Sequence, residues 1–120
     1  MQSACLDHCN DHGPQGKMGH KGTDQSKPFE RLGRYGECLG MSSECVAYGH
    51  LNPMQVILQL CIDDGIKSRG HQKTIFNKNM RKFACFKGQH KVHGKMIVCC
   101  YAESYSASEA NLKPRLQAML

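Results

Sequence analysis

The sequence predicts an α+β domain, and three observations carry the prediction. A helix with one apolar face begins at Asn52-Pro53, two apolar runs at 82–87 and 95–102 flank a loop bounded by glycines, and 120 residues bound the chain to one domain or to part of a larger one. A two-domain enzyme is excluded. Hydrophobic residues make up 40% of the chain and charged residues 22%, which excludes a disordered or collagen-like polypeptide. The longest unbroken apolar run, Met96 to Ala102, is far short of the roughly 20 residues that a membrane-spanning helix needs.

The elements follow in order. Residues 4–12 read as a helix stopped by Gly13-Pro14, since glycine favours a helix end and proline lacks the amide that would continue it. A charged, glycine-rich loop fills 13–27, and Pro28 to Leu32 can start a short helix with proline in its first turn. The three glycines within 36–49 predict a loop with one short strand at 45–48. Asn52 and Pro53 are a good cap and first residue for the main helix, in which Val56, Ile57, Leu60, Cys61 and Asp64 recur on one face and Gly65 supplies the stop. That face is predicted to anchor the core. A second short helix is expected at 71–76. The runs at 82–87 and 95–102 then form an antiparallel hairpin whose long basic loop spans 88–94 and carries His90 and His93 at the surface. The domain is read as 4–105. In the tail, 106–120, Leu112, Leu116, Met119 and Leu120 fall at helical spacing around Pro114, giving a segment able to dock on its own domain or on a partner.

Charge is unevenly placed. Nine of the sixteen lysines and arginines lie between Gly65 and Ala102, where Asp and Glu are absent, so this half would attract an acidic protein surface or an anionic lipid. Nucleic acid is a poorer fit, because Trp is absent and Phe76, Phe83, Phe86 and Tyr101 alternate with apolar neighbours as core residues do. The eight cysteines are even in number, yet Cys61, Cys85, Cys99 and Cys100 sit within apolar runs, where a thiol serves as a small hydrophobic group. Mostly reduced, buried thiols are expected, and with them a reducing, intracellular compartment; the N-terminal residues also lack the basic start and apolar stretch of a secretory signal. In a strand, Cys99 and Cys100 would point to opposite faces and could not bridge each other.

Residues able to carry chemistry are few. Cys5, His8, Cys9 and His12 share one face of the first helix, but a row about 10 Å long cannot close on one zinc ion, so packing is the expected role and a pair such as His8 with His12 is at most half a metal site. Asp63 and Asp64 close the main helix at its negative end, where the dipole opposes them. They either pair locally with Lys67 or Arg69 or face a cleft beside His71. Nucleophile elbows, phosphate loops, HExxH and paired CxxC motifs are all missing, which counts against most hydrolases and nucleotide-binding enzymes.

From Cys5 to Ala102 the order of segments resembles the CAP superfamily of cysteine-rich secretory, antigen 5 and pathogenesis-related proteins, in a short form. His20, within Gly19-His20-Lys21-Gly22-Thr23-Asp24, looks like the first histidine of that family's cleft. Ser43-Glu44-Cys45-Val46-Ala47-Tyr48-Gly49 is similar to its Gly-Glu-Asn-Ile strand, with cysteine in the asparagine position, and the segment around Ser68-Arg69-Gly70-His71-Gln72 looks like the one holding the second histidine. The resemblance implies a three-layer α-β-α sandwich with a small antiparallel sheet, lacking the family's first helix before Ala4. It implies a secreted location and a cleft of His20, Glu44, His71 and one of Asp63 or Asp64, with His20 and His71 able to hold zinc or another divalent cation.

On these grounds the expected function is a non-catalytic binding or interaction domain with a His/acidic cleft. Two alternatives stand beside it. One is a structural component of a large assembly that grips an acidic surface with its basic half. The other is a metal-assisted hydrolase with zinc on His20 and His71 and Glu44 as general base, disfavoured because neither nucleophile nor oxyanion device accompanies it.

Overall fold

The computed structural model describes residues 1–50, 52–62 and 77–108, with 60–62 as backbone only. Helices α1 (Gln2–Gln15) and α2 (Pro28–Gly33) precede strand β1 (Gly36–Tyr48), helix α3 (Pro53–Ile62) and strands β2 (Lys82–His90) and β3 (Gly94–Ala107). The three strands form an antiparallel sheet in the order β1-β3-β2, so β3 is central and β1 and β2 are edges. The coarse class, a small α+β fold on an open antiparallel sheet, is as the sequence predicts.

Strand alternation divides the sheet into two faces. Met96, Val98, Cys100 and Ala102 of β3 are buried on one face, where Val46 of β1, Ala4, Cys5 and Cys9 of α1 and Leu32 of α2 complete the main core. Cys45 and Ala47 of β1 and Cys99 of β3 are on the other face and pack with Val56 of α3. Cys99 and Cys100 therefore point to opposite sides, as expected.

The first helix differs from expectation in extent and rank. It continues through Gly13 and Pro14 to Gln15 and ends at Gly16, whose φ of 65° is the left-handed cap that glycine tolerates. Pro14 sits in the last turn, where its missing amide removes one bond without preventing the turn. Gly13 is a contact residue rather than a stop: a Cβ there would lie 2.1 Å from the Gln89 carbonyl oxygen, so glycine lets α1 approach β2. This helix, not α3, anchors the core. Its buried face is built of Ser3, Ala4, Cys5, His8, Cys9 and His12, residues that carry no obvious apolar signal. On α3 the cap forms as predicted, with Asn52 and Gln55 exchanging side-chain-to-backbone hydrogen bonds of 2.8 Å. Val56 is buried but Ile57 is 53% exposed, so the predicted inward face is narrower than its periodicity implies.

Two further corrections concern strands. The region read as mostly loop at 36–49 is a 13-residue strand whose register shifts between Leu39 and Ser42. Gly40, at φ 78°, makes that bulge possible, and the Glu103 carboxylate accepts the Met41 amide at 2.5 Å to close it. The hairpin pairs as predicted, but β2 runs on to His90, shortening the loop to 91–93. Phe83, expected inside, is exposed and lies against Tyr101 with ring centroids 5.2 Å apart. The expected helix at 71–76, the outer part of the tail (109–120) and the side chains of Leu60 and Cys61 lie outside the described residues. Among the described residues no helix is long and apolar enough to cross a membrane.

Candidate functional site

The site grows from the segment between α1 and α2. Three buried imidazoles hold its carbonyls: Nε2–H of His8 donates to Gly19, that of His12 to Lys21 and that of His90 to Lys17, each at 2.8 Å. A carbonyl only accepts, so each ring carries its proton on Nε2. The Nδ1 of His90 accepts the amides of Val92 and His93, tying the β2–β3 turn to the same point. His90 is thus a buried structural group and not the surface residue expected from the loop reading. Tyr48 accepts the Gly19 amide at 3.0 Å, and Arg31 donates to the His20 carbonyl at 2.9 Å.

Held in this way, His20 meets Glu44. Its Nδ1 lies 2.8 Å from Glu44 Oε1, while Arg31 Nη2 donates to Glu44 Oε2 at 2.7 Å. The Glu44 and Arg31 side chains are 1% and 2% exposed, whereas His20 is half exposed. Burial alone pushes the Glu44 carboxyl up, but the His20 hydrogen bond and the Arg31 guanidinium outweigh it, and the group stays below the usual glutamate range. An ionised carboxylate accepting from Nδ1–H leaves the Nε2 lone pair of His20 available. Burial lowers the His8 pKa below that of free histidine, against the opposing pull of Glu44, whose Oε1 is 3.9 Å from Nε2, and of the Gly19 carbonyl.

His20 lines an open cleft of about 420 Å³ with Met18, Gly19, Val46, Ala47, Tyr48, Gln59 and His93. His93 Nε2 is 3.3 Å from the Met18 sulfur, and its ring is 5.5 Å from that of Tyr48. The predicted pair His20 and Glu44 is therefore brought together. Asp63, Asp64 and His71 lie outside the described residues. Sequence reading missed Arg31, Tyr48 and Met18, because an arginine within a Pro-Phe-Glu-Arg-Leu turn carries no mark of burial until the fold places a carboxylate against it.

The row on α1 also resolves. Cys5, His8, Cys9 and His12 are all buried, and the His8 and His12 rings lie against each other, tilted by 44° with centroids 4.2 Å apart. With Asp11 the two histidines offer three possible metal-ligating atoms within 4.8 Å of one another. Yet both Nε2 atoms are committed to carbonyls, and Asp11 accepts the Thr23 hydroxyl at 2.6 Å and the Thr23 amide at 2.9 Å. The cluster fastens the loop.

No family model and no curated protein sequence matches the chain. In fold it is similar to an outer surface protein from Borrelia burgdorferi, with a TM-score of 0.69 and 13% identity over 84% of this chain and 71% of that one. At that identity the likeness is one of fold alone. The CAP kinship that the order of short motifs suggests is overturned: no family model matches the chain, and its fold is similar to that of the Borrelia protein instead.

Proposed function

We propose that the chain is a non-catalytic binding module that takes a divalent cation of the zinc class at His20. The observation that supports this most is the Arg31–Glu44–His20 chain, in which a buried carboxylate fixes the ring through Nδ1 and directs Nε2 outward. Metal-binding imidazoles are oriented in the same manner. Met18 and His93 offer further donors in the same cleft. Among the described residues none of Ser, Thr or Cys lines the cleft, which favours holding a ligand over acyl transfer. Calorimetric titration with zinc tests the reading: His20→Ala abolishes binding and Glu44→Gln weakens it by about 10–100-fold. Unchanged affinity in His20→Ala refutes it.

A second reading is an acidic partner on the β2 edge, favoured by the exposure of Lys78, Arg81, Lys82, Lys87 and Lys91 along and beside that strand. Such binding would weaken steeply with added salt.

A further inference from the structure

The face of the sheet opposite α1 carries a line of cysteines. Cys45 of β1 is in register with Cys99 of β3, and Cys99 with Cys85 of β2, so three thiols cross three adjacent strands on one side. None of them is in a disulfide. Their access to solvent is graded: Cys85, on the edge strand, is exposed, Cys99 is 5% exposed and Cys45 is buried. We infer that Cys85 and Cys99 are an oxidant-responsive pair, in which a hydroperoxide oxidises Cys85 and Cys99 closes a cross-strand disulfide.

Geometry selects this pair. Directly opposed residues in an antiparallel sheet have Cβ atoms about 4.5–5.5 Å apart, and a disulfide needs about 3.5–4.5 Å, a gap that a small strand adjustment closes. Cys45 cannot compete for Cys85, because β3 intervenes and two strand spacings amount to about 9.5 Å. On the other face Cys5 Sγ lies only 3.2 Å from Cys100 Sγ, so proximity alone would favour that pair. Those thiols are 0% and 2% exposed, however, and a soluble oxidant cannot reach them. Exposure therefore decides which pair reacts first. Burial, with the nearby thiols Cys85 and Cys45, pushes Cys99 up to about 12, so it stays a protonated thiol and is not the sulfur that meets the oxidant first; its place in the second step rests on its position opposite Cys85.

The chemistry balances. The Cys85 thiol gives up its proton as its sulfur attacks one peroxide oxygen; the O–O bond breaks, the leaving alkoxide takes up a proton and departs as the alcohol, and sulfur is oxidised by two electrons to a sulfenic acid. The Cys99 sulfur then attacks the Cys85 sulfur; the S–S bond forms as the S–O bond breaks, and the departing hydroxide takes the Cys99 proton to leave as water. The net change is two thiols and one hydroperoxide to one disulfide, one alcohol and one water, or two waters with hydrogen peroxide itself.

The test uses the full, fully reduced chain treated with hydrogen peroxide, quenched with an alkylating reagent in denaturant and mapped by mass spectrometry. The expected result is loss of two of the eight thiols, recovery of a Cys85–Cys99 linked peptide and no Cys5–Cys100 link. Cys85→Ser, an exposed and conservative change, prevents the loss, and Cys99→Ser leaves a sulfenic acid on Cys85 that dimedone traps. A link from Cys85 to any other cysteine, a Cys85–Cys85 dimer, Cys85 over-oxidised without a link, or an unreacted protein each overturns the inference. The unmodified chain alone decides between these outcomes, so the result does not depend on the variants folding.

Discussion

The two faces of the central strand solve different problems with neighbouring residues. On the α1 side, Met96, Val98, Cys100 and Ala102 are almost fully excluded from water, and the polar groups that join them there, His8, Glu44 and Arg31, are each bound to a named partner. On the α3 side, Ile97, Cys99 and Tyr101 are covered less completely, while Phe83 and Cys85 at the β2 edge remain open. The difference teaches where rigidity and reactivity are separated. A fully packed face can hold a buried ion pair and orient a histidine, whereas a partly covered face leaves a thiol within reach of solvent.

The largest expected effect that sharpens this contrast is on the ion pair. Glu44→Ala leaves the Arg31 guanidinium, 2% exposed, without its carboxylate, and a cost of about 3–5 kcal/mol in urea denaturation is predicted. A loss below about 1 kcal/mol would mean that water reaches Arg31 and that the packed face is less closed than described. Next, Met96→Ala, at a position 0% exposed, is expected to cost about 2–5 kcal/mol. Ile57→Ala on α3, 53% exposed, should change stability by no more than about 0.5 kcal/mol. Equal effects at the two positions would break the comparison.

Acid should act on the packed face in two stages. His8, whose folded pKa is depressed, refuses a proton that the unfolded chain accepts, so stability falls as pH drops below the ordinary value of 6.5 toward the folded one. Glu44, also depressed, confers stability that is full above its ordinary value of 4.5 and lost as pH falls through the lower folded value. Thermal midpoints measured across this range should show both declines, and His8→Gln should flatten the first alone. A modest effect, between those of Met96→Ala and Ile57→Ala, is expected at the α3 cap, where Asn52→Ala removes one side-chain bond and should cost about 1 kcal/mol in the same denaturation assay.

What could be read from the residues depended on how local the signal was. Asn52-Pro53, Pro28 and the paired apolar runs act within a few residues, and each produced the predicted element. The length of β1 was hidden because Gly36 and Gly40 look like loop residues until the bulge at Leu39–Ser42 reconciles them with pairing to β3. Half of the site was visible: His20 and Glu44 were named from the sequence, although by way of a family resemblance that the comparisons overturn. Arg31 and the three imidazoles gripping residues 17–21 were not, since their roles exist only when helix, loop and strand are assembled.

The sequence by itself determined the α+β class, the hairpin, the helix starts at Pro28 and Pro53 and the opposed directions of Cys99 and Cys100, because backbone geometry and side-chain period act between near neighbours. The tertiary structure decided that α1 rather than the more apolar α3 carries the main core, and that Glu44 is an ionised partner shared by Arg31 and His20. It also decided that Cys85 alone of its row meets solvent. Burial, and the electrostatics that follow from it, depend on which distant segments come together, and local periodicity carries no record of that.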